Sequence, residues 1–142
     1  MLEKGRKRTQ RIVEYLRKAR IRVDLIICSH AVRAQETARI LANGLDYPKD
    51  DIRIDPMIYS TDGEGLFNEF YDLPEKASSV MLVGHNPTMT DFVNNFLDPR
   101  IENLPTSGVV SLSFHTDRWE EVSSAEHTLN FVLFPKIISP ND

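Results

Sequence analysis

Four apolar residues, Ile12, Val13, Leu16 and Ala19, recur about one helical turn apart in a segment otherwise rich in lysine and arginine. That spacing predicts an amphipathic helix over residues 2–19 with a basic outer face. A short uninterrupted apolar run, Leu25-Ile26-Ile27-Cys28, follows, as expected of a parallel strand covered on both faces. Ser29 stands at a natural N-cap position, and Ala31, Ala34, Ala38, Ile40 and Leu41 mark a second helix stopped by Asn43-Gly44. Residues 52–54 read as a short strand closed by Asp55-Pro56. Leu66, Phe67 and Phe70 predict a third helix within residues 63–73, ended by Pro74. The run Val80-Met81-Leu82-Val83 is a second strand expected to be buried. Asn86 then reads as the N-cap and Pro87 as the first residue of a helix with a Met89, Phe92, Val93, Phe96, Leu97 stripe. Residues 104–108 are rich in turn formers. Residues 109–114 alternate as a half-exposed strand does, and residues 129–134 form a last strand before a Pro-containing tail. Helices alternating with strands predict an α/β layered domain.

The chain has 142 residues, enough for one domain, residues 1–142, with a real core. Its 41% hydrophobic and 27% charged content is that of a globular protein, and no apolar run approaches the roughly 18–20 residues of a membrane span. Cys28 is the single cysteine, so no internal disulfide forms, and a reducing, cytoplasmic setting is expected. Charge is uneven. Residues 1–22 carry nine Lys/Arg against two Glu, whereas the whole chain sums to −4. A basic first helix suits an acidic partner or a phosphorylated substrate. A solvated helix face accounts for the same residues.

The chemistry concentrates at two strand ends. His85 directly follows Gly84 at the end of a predicted parallel strand, where open α/β sheets place their ligands, and the next helix would aim backbone N–H groups at the same spot. An imidazole there can donate to a phosphoryl oxygen or exchange a proton near neutral pH. Arg33 lies in the second turn of the helix after Ser29, where its planar paired donors fit a phosphoryl group, and Thr37 is one turn further on. The Ser29 hydroxyl is a further donor, although capping also explains it. His30 could line the rim or stand exposed. Asp62 and Glu64 are carboxylates in a loop, either proton donors or solvated charges. No cluster has metal-ligand spacing, so no metal or other cofactor is expected. No basic-aromatic ladder suggests nucleic acid.

These segments resemble the histidine phosphatase superfamily, and specifically its small SixA-type phosphohistidine phosphatases. The resemblance is carried by the order and spacing of Leu2-Glu3-Lys4-Gly5, of residues 24–29 with Arg33-Ala34-Gln35-Glu36-Thr37, of residues 80–87, and of Asn103-Leu104-Pro105-Thr106-Ser107-Gly108-Val109-Val110. It implies a phosphoglycerate mutase-like three-layer sandwich with a mainly parallel sheet flanked by helices. It also implies metal-independent phosphoryl transfer through a nucleophilic histidine. By position Arg33 and His85 would be catalytic, and Arg33, His85, Ser29 and Asn86 would bind phosphate. The substrate would be a phosphorylated protein, with phosphohistidine among the candidates, or a small phosphomonoester. The family begins with a central strand ending in Arg-His-Gly that supplies the nucleophile, and no such motif precedes Leu2. Ser60 after Tyr59 also stands where relatives often have Glu, and His30 where many have Pro. Without the central strand the sheet must close up, receive a strand from a partner chain in an oligomer, or belong to a longer natural polypeptide. The last is the expectation here, with the 142 residues inactive as they stand. A non-catalytic phospho-ligand module and an interaction domain docking an acidic partner through the basic helix remain as alternatives.

Overall fold

The computed structural model describes residues 3–135, so Leu2 and the end of the Pro-containing tail lie outside the described residues. The elements are α1 (Glu3–Lys18), β1 (Leu25–Cys28), α2 (Val32–Gly44), β2 (Arg53–Ile54), α3 (Met57–Ser60), β3 (Val80–Val83), α4 (Thr88–Val93), β4 (Val109–Phe114) and β5 (His127–Leu133). Short 3₁₀ segments occupy Lys49–Asp51, Gly65–Phe70 and Trp119–Glu121. Strands β2, β1 and β3 form a parallel sheet in that order, with Ile27 level with Leu82 and Cys28 with Val83. Strands β4 and β5 pair antiparallel in a ribbon of their own. No helix among the described residues is long and apolar enough to cross a membrane.

The period-2 alternation of strands sorts the core into two layers. Ile26, Cys28 and Val83 face one way and pack with Ile12 and Leu16 of α1 and Ala34, Ala38 and Leu41 of α2. Ile27 faces the other way and packs with Ile58, Leu66, Phe70, Phe92 and Val122, with Leu82 against them. The ribbon obeys the same division. Val109, Phe131 and Leu133 join the α1/α2 layer, and Val110, Phe114 and Val132 join the opposite one. The ribbon therefore extends the plane of the three-stranded sheet, and the molecule is an α/β three-layer sandwich. Where α1 meets α2, a Cβ on Gly44 would fall 2.0 Å from Val13 Cγ1, so only glycine lets the helices approach this closely there.

Several elements depart from the periodicity. The second helix begins at Val32, not after a Ser29 cap. Ala31 is extended, and its N–H donates to Ser29 Oγ at 3.1 Å, a local turn that outcompetes the helix. The third helix is a 3₁₀ segment opened by Gly65 N–H donating to Asp62 Oδ1 at 2.7 Å. The helix after His85 starts at Thr88 and ends at Val93. Asn94 exchanges two 2.9 Å bonds with the backbone of Ile101, and Asn95 Nδ2 donates to Phe92 O, which diverts the chain before Phe96 and Leu97. Strand β3 is less buried than its composition predicts: only Val83 is buried, while Val80, Met81 and Leu82 are half-exposed. One edge of β3 pairs with β1 and the other pairs with no strand among the described residues.

Candidate functional site

The ends of β1 and β3 open into a cleft of about 1700 Å³ that runs between β3 and β4. His85 is placed there by Gly84. A Cβ on Gly84 would sit 2.9 Å from Met89 Sδ and 3.1 Å from Ile58 Cγ2, so a side chain would push apart the elements that close the turn. His85 is half-buried, and its Nε2 is buried without a hydrogen-bond partner among the described residues. A buried ring nitrogen left unpaired is costly, roughly 1–3 kcal/mol, unless a ligand or water completes it. The ring packs on Tyr59 with centroids 4.8 Å apart, and Tyr59 packs in turn on His30 at 5.1 Å. His30 is exposed and separated from His85 by that phenol ring.

Arg33 and Thr37 also line the cleft, on successive turns of α2. Arg33 is exposed, and its side chain has no ion pair or hydrogen bond among the described residues. Lys4 and Arg8 line the same mouth from α1, with no ion pair or hydrogen bond from either side chain among the described residues. The basic helix therefore turns two of its cations toward the cleft. From the sequence these read as part of an evenly basic outer surface. The signal available was their i, i+4 spacing, one turn apart with Arg8 directly before the buried Thr9. Thr9 Oγ1 donates to Gly5 O at 3.0 Å and lies 2.8 Å from Ser107 Oγ, pinning α1 to the loop before β4. Thr106 and Ser107 complete the polar mouth.

Ser29 and Asn86 hold the site together from behind. Ser29 is fully buried and off the cleft lining, with Oγ accepting from Ala31. The Asn86 amide donates to Leu104 O at 2.7 Å and to Asn103 Oδ1 at 3.1 Å. Its Oδ1 accepts from Thr90 N–H at 3.2 Å and Thr90 Oγ1 at 2.7 Å. Both donors and both acceptor positions are used. The Asn86 side chain thus clamps the 103–108 loop to α4, and the residue itself lines the cleft. The expected anion site at the start of the helix after His85 also falls away, since α4 has only six residues. Asp62 and Glu64 are exposed and off the lining. Cys28 is fully buried, and burial pushes its thiol pKa up, away from the thiolate a nucleophile needs. Among the described residues, no group of three or more His, Cys, Asp or Glu is arranged to hold a metal.

Residues 1–58 match the family model of the histidine phosphatase superfamily (branch 1). Solved structures match over nearly the whole chain. The SixA protein of Nakamurella multipartitia superposes with a TM-score of 0.79 at 22% identity, covering 95% of this chain and 84% of that one. The chain shares the fold of this SixA protein. The SixA protein of Agrobacterium tumefaciens gives 0.70 at 25% identity, covering 93% and 83%. A protein histidine phosphatase SixA complexed with tungstate gives 0.80 at 17%, covering 98% and 86%. No curated protein sequence matches the chain. In this SixA-type fold the cleft mouth, with His85, Arg33, Lys4 and Arg8, is where β1 and β3 deliver their C-terminal ends.

Proposed function

We propose that the cleft mouth binds a phosphoryl group, with Arg33 supplying paired guanidinium donors and His85 Nε2 the deepest contact, in a domain built for phosphohistidine or phosphomonoester hydrolysis. The observation that carries this reading is the His85 Nε2, buried and without a hydrogen-bond partner among the described residues, on a residue that lines the same cleft as Arg33, Lys4 and Arg8. Fixed donors of this kind stabilise the charge of a transferring phosphoryl group without a metal, and positioning does much of the rest. The nucleophile would be a histidine outside this set. His85 faces the cleft alone, His30 lies behind Tyr59, and His115 and His127 sit on the ribbon, bonded to Thr128 and Phe96. The physiological substrate would be a phosphorylated protein or a small phosphomonoester.

Titration with inorganic phosphate tests this. Binding should weaken about 10- to 100-fold in Arg33→Ala and in His85→Ala, each removing a contact to a charged group worth roughly 1.5–3 kcal/mol. Arg100→Ala, exposed and off the cleft lining, should leave it unchanged. Equal affinity in all three variants would sink the reading. The 142 residues alone should show little turnover of a phosphorylated substrate. Robust turnover abolished by His85→Ala and Arg33→Ala would mean the reaction needs no further histidine.

The absence of a second imidazole facing the cleft, among the described residues, also favours a second reading: a module that binds a phospho-ligand without hydrolysing it. Phosphate binding that depends on Arg33 and His85, with no turnover under any condition, is its signature.

A further inference from the structure

At its His85 end the cleft presents two further kinds of wall. One is cationic. Lys4 and Arg8 of α1 line the mouth beside Arg33. The two carboxylates among the lining residues, Glu75 and Asp117, stand at the other end, by the bond from Trp119 Nε1 to Ala77 O. A phosphoryl ester carries about −1.5 to −2 at pH 7. Arg33 and His85 already meet that charge, so Lys4 and Arg8 are positive charge in excess of what one phosphoryl group neutralises. The other wall is apolar. Val32 and Tyr59 line the same mouth at 71% and 55% exposure, Val32 being the most exposed of the large hydrophobic side chains among the described residues. Apolar surface kept in water on the rim of a binding mouth marks a place that a ligand covers.

We infer that the mouth selects a phosphorylated peptide segment by its flanks: a carboxylate side chain on one side of the phosphorylated residue meets Lys4 and Arg8, and an apolar side chain on the other meets Val32 and Tyr59. The inference rests on the phosphoryl reading of the mouth and adds what stands beside that group. The two walls are fixed separately. Arg8 adjoins the buried Thr9, whose Oγ1 lies 2.8 Å from Ser107 Oγ in the loop before β4. Lys4 is one turn earlier on α1, so both cations are carried by that docking. Tyr59 is set by ring contacts to His85 at 4.8 Å and to His30 at 5.1 Å, and Val32 opens α2 just after His30. One wall is thus tied to the loop before β4 and the other to the turns after β1 and β2. A small phosphomonoester has no group for either wall, whereas a peptide carries side chains on both sides of its phosphorylated residue. Because the walls differ, the two flanks are not interchangeable.

Titration with short phosphoserine peptides tests this. In a Gly/Ser background, Leu-Leu and Glu-Glu flank the phosphoserine in one order or the other, singly, or not at all. One order should bind about 30-fold more tightly than the Gly/Ser peptide, the apolar pair contributing about 10-fold and the acidic pair about 3-fold, and about 10-fold more tightly than the reverse order. Lys4→Gln combined with Arg8→Gln should abolish the acidic gain and spare the apolar one, and Val32→Ser should do the converse. Raising salt from about 0.05 to about 0.5 M should shrink only the acidic gain. Phosphate-dependent binding that is lost in Arg33→Ala but blind to the flanks overturns the inference and leaves the phosphoryl reading standing. Equal affinity for the two orders overturns it as well, because flanks that adhere without register need no walls. Gains that survive both sets of substitutions place the contacts elsewhere on the surface and refute the assignment. Equal binding of phosphorylated and unphosphorylated peptides removes the phosphoryl reading, and the inference with it.

Discussion

Thr90→Val tests whether the cleft loop is held by the hydrogen-bond chain running through Asn86. Thr90 is 6% exposed, and its Oγ1 donates to Asn86 Oδ1 at 2.7 Å while accepting from the Leu104 N–H at 2.9 Å. Valine has nearly the same shape but neither function. It leaves the Leu104 N–H, on a residue 8% exposed, buried without a partner. That orphan costs about 1–3 kcal/mol, and the lost bond to Asn86 adds about 0.5–1.5 kcal/mol. Desolvation of the hydroxyl, no longer required, offsets part of this, so the expected loss is about 2–3 kcal/mol. Thr90→Ser is the control: it keeps the hydroxyl and removes a methyl group, for about 1 kcal/mol. Urea unfolding followed by Trp119 fluorescence should place the Val midpoint about 1–2 M below the parent, with the slope unchanged. In the same variant, the amides of Thr106 and Ser107 should exchange faster, because their loop opens locally. A Val variant no less stable than the Ser variant would refute the claim that this chain anchors the cleft loop.

Two further outcomes are expected. Gly84→Ala brings a Cβ to 3.1 Å from the fully buried Ile58 and 2.9 Å from Met89 Sδ. It should cost about 1–3 kcal/mol in thermal unfolding and weaken phosphate binding by moving His85; a neutral variant would contradict the tight turn. Glu69 has its pKa raised from 4.5 to about 7, chiefly by burial and then by the Asp55 carboxyl beside it. The native state therefore holds this proton more tightly than the unfolded chain, and stability is lost as pH rises from about 4.5 through 7. Glu69→Gln should then stabilise at pH 8, by about 1 kcal/mol or less since the half-buried group keeps part of its solvent screening, and give no gain near pH 4.5. Urea midpoints that shift equally at both pH values would remove the carboxyl from this role.

The strands and the turn that carries His85 were legible because they depend on a short-range rule, an apolar run stopped by Gly84; the helix register counted from Ser29 was not, since α2 begins at Val32 and puts Arg33 in its first turn. What escaped depends on partners distant in the chain. Asn86 reads locally as an N-cap, and it does hold the Thr90 N–H, but its donors go to residues 103 and 104. The helix that should have continued through Leu97 ends at Val93 because Asn94 finds Ile101, seven residues on. Ser29 looked like a phosphate donor from its place after β1, yet complete burial and the Ala31 bond take it off the cleft wall. Lys4 and Arg8 were invisible as site residues because the basic face of α1 is nearly continuous, and only the docking of Thr9 on Ser107 selects which cations turn inward.

Strand β3 couples the sheet to the proposed phosphate site. Its four residues are all apolar, a composition suited to a strand with neighbours on both edges and layers on both faces, yet three of the four are half-exposed. The same strand carries Gly84 and His85 at its end, so whatever pairs with its free edge also fixes the backbone that aims the imidazole. Arg33, Lys4 and Arg8 at the cleft mouth repel one another until an anion enters, and a bound anion favours any backbone arrangement that closes around it.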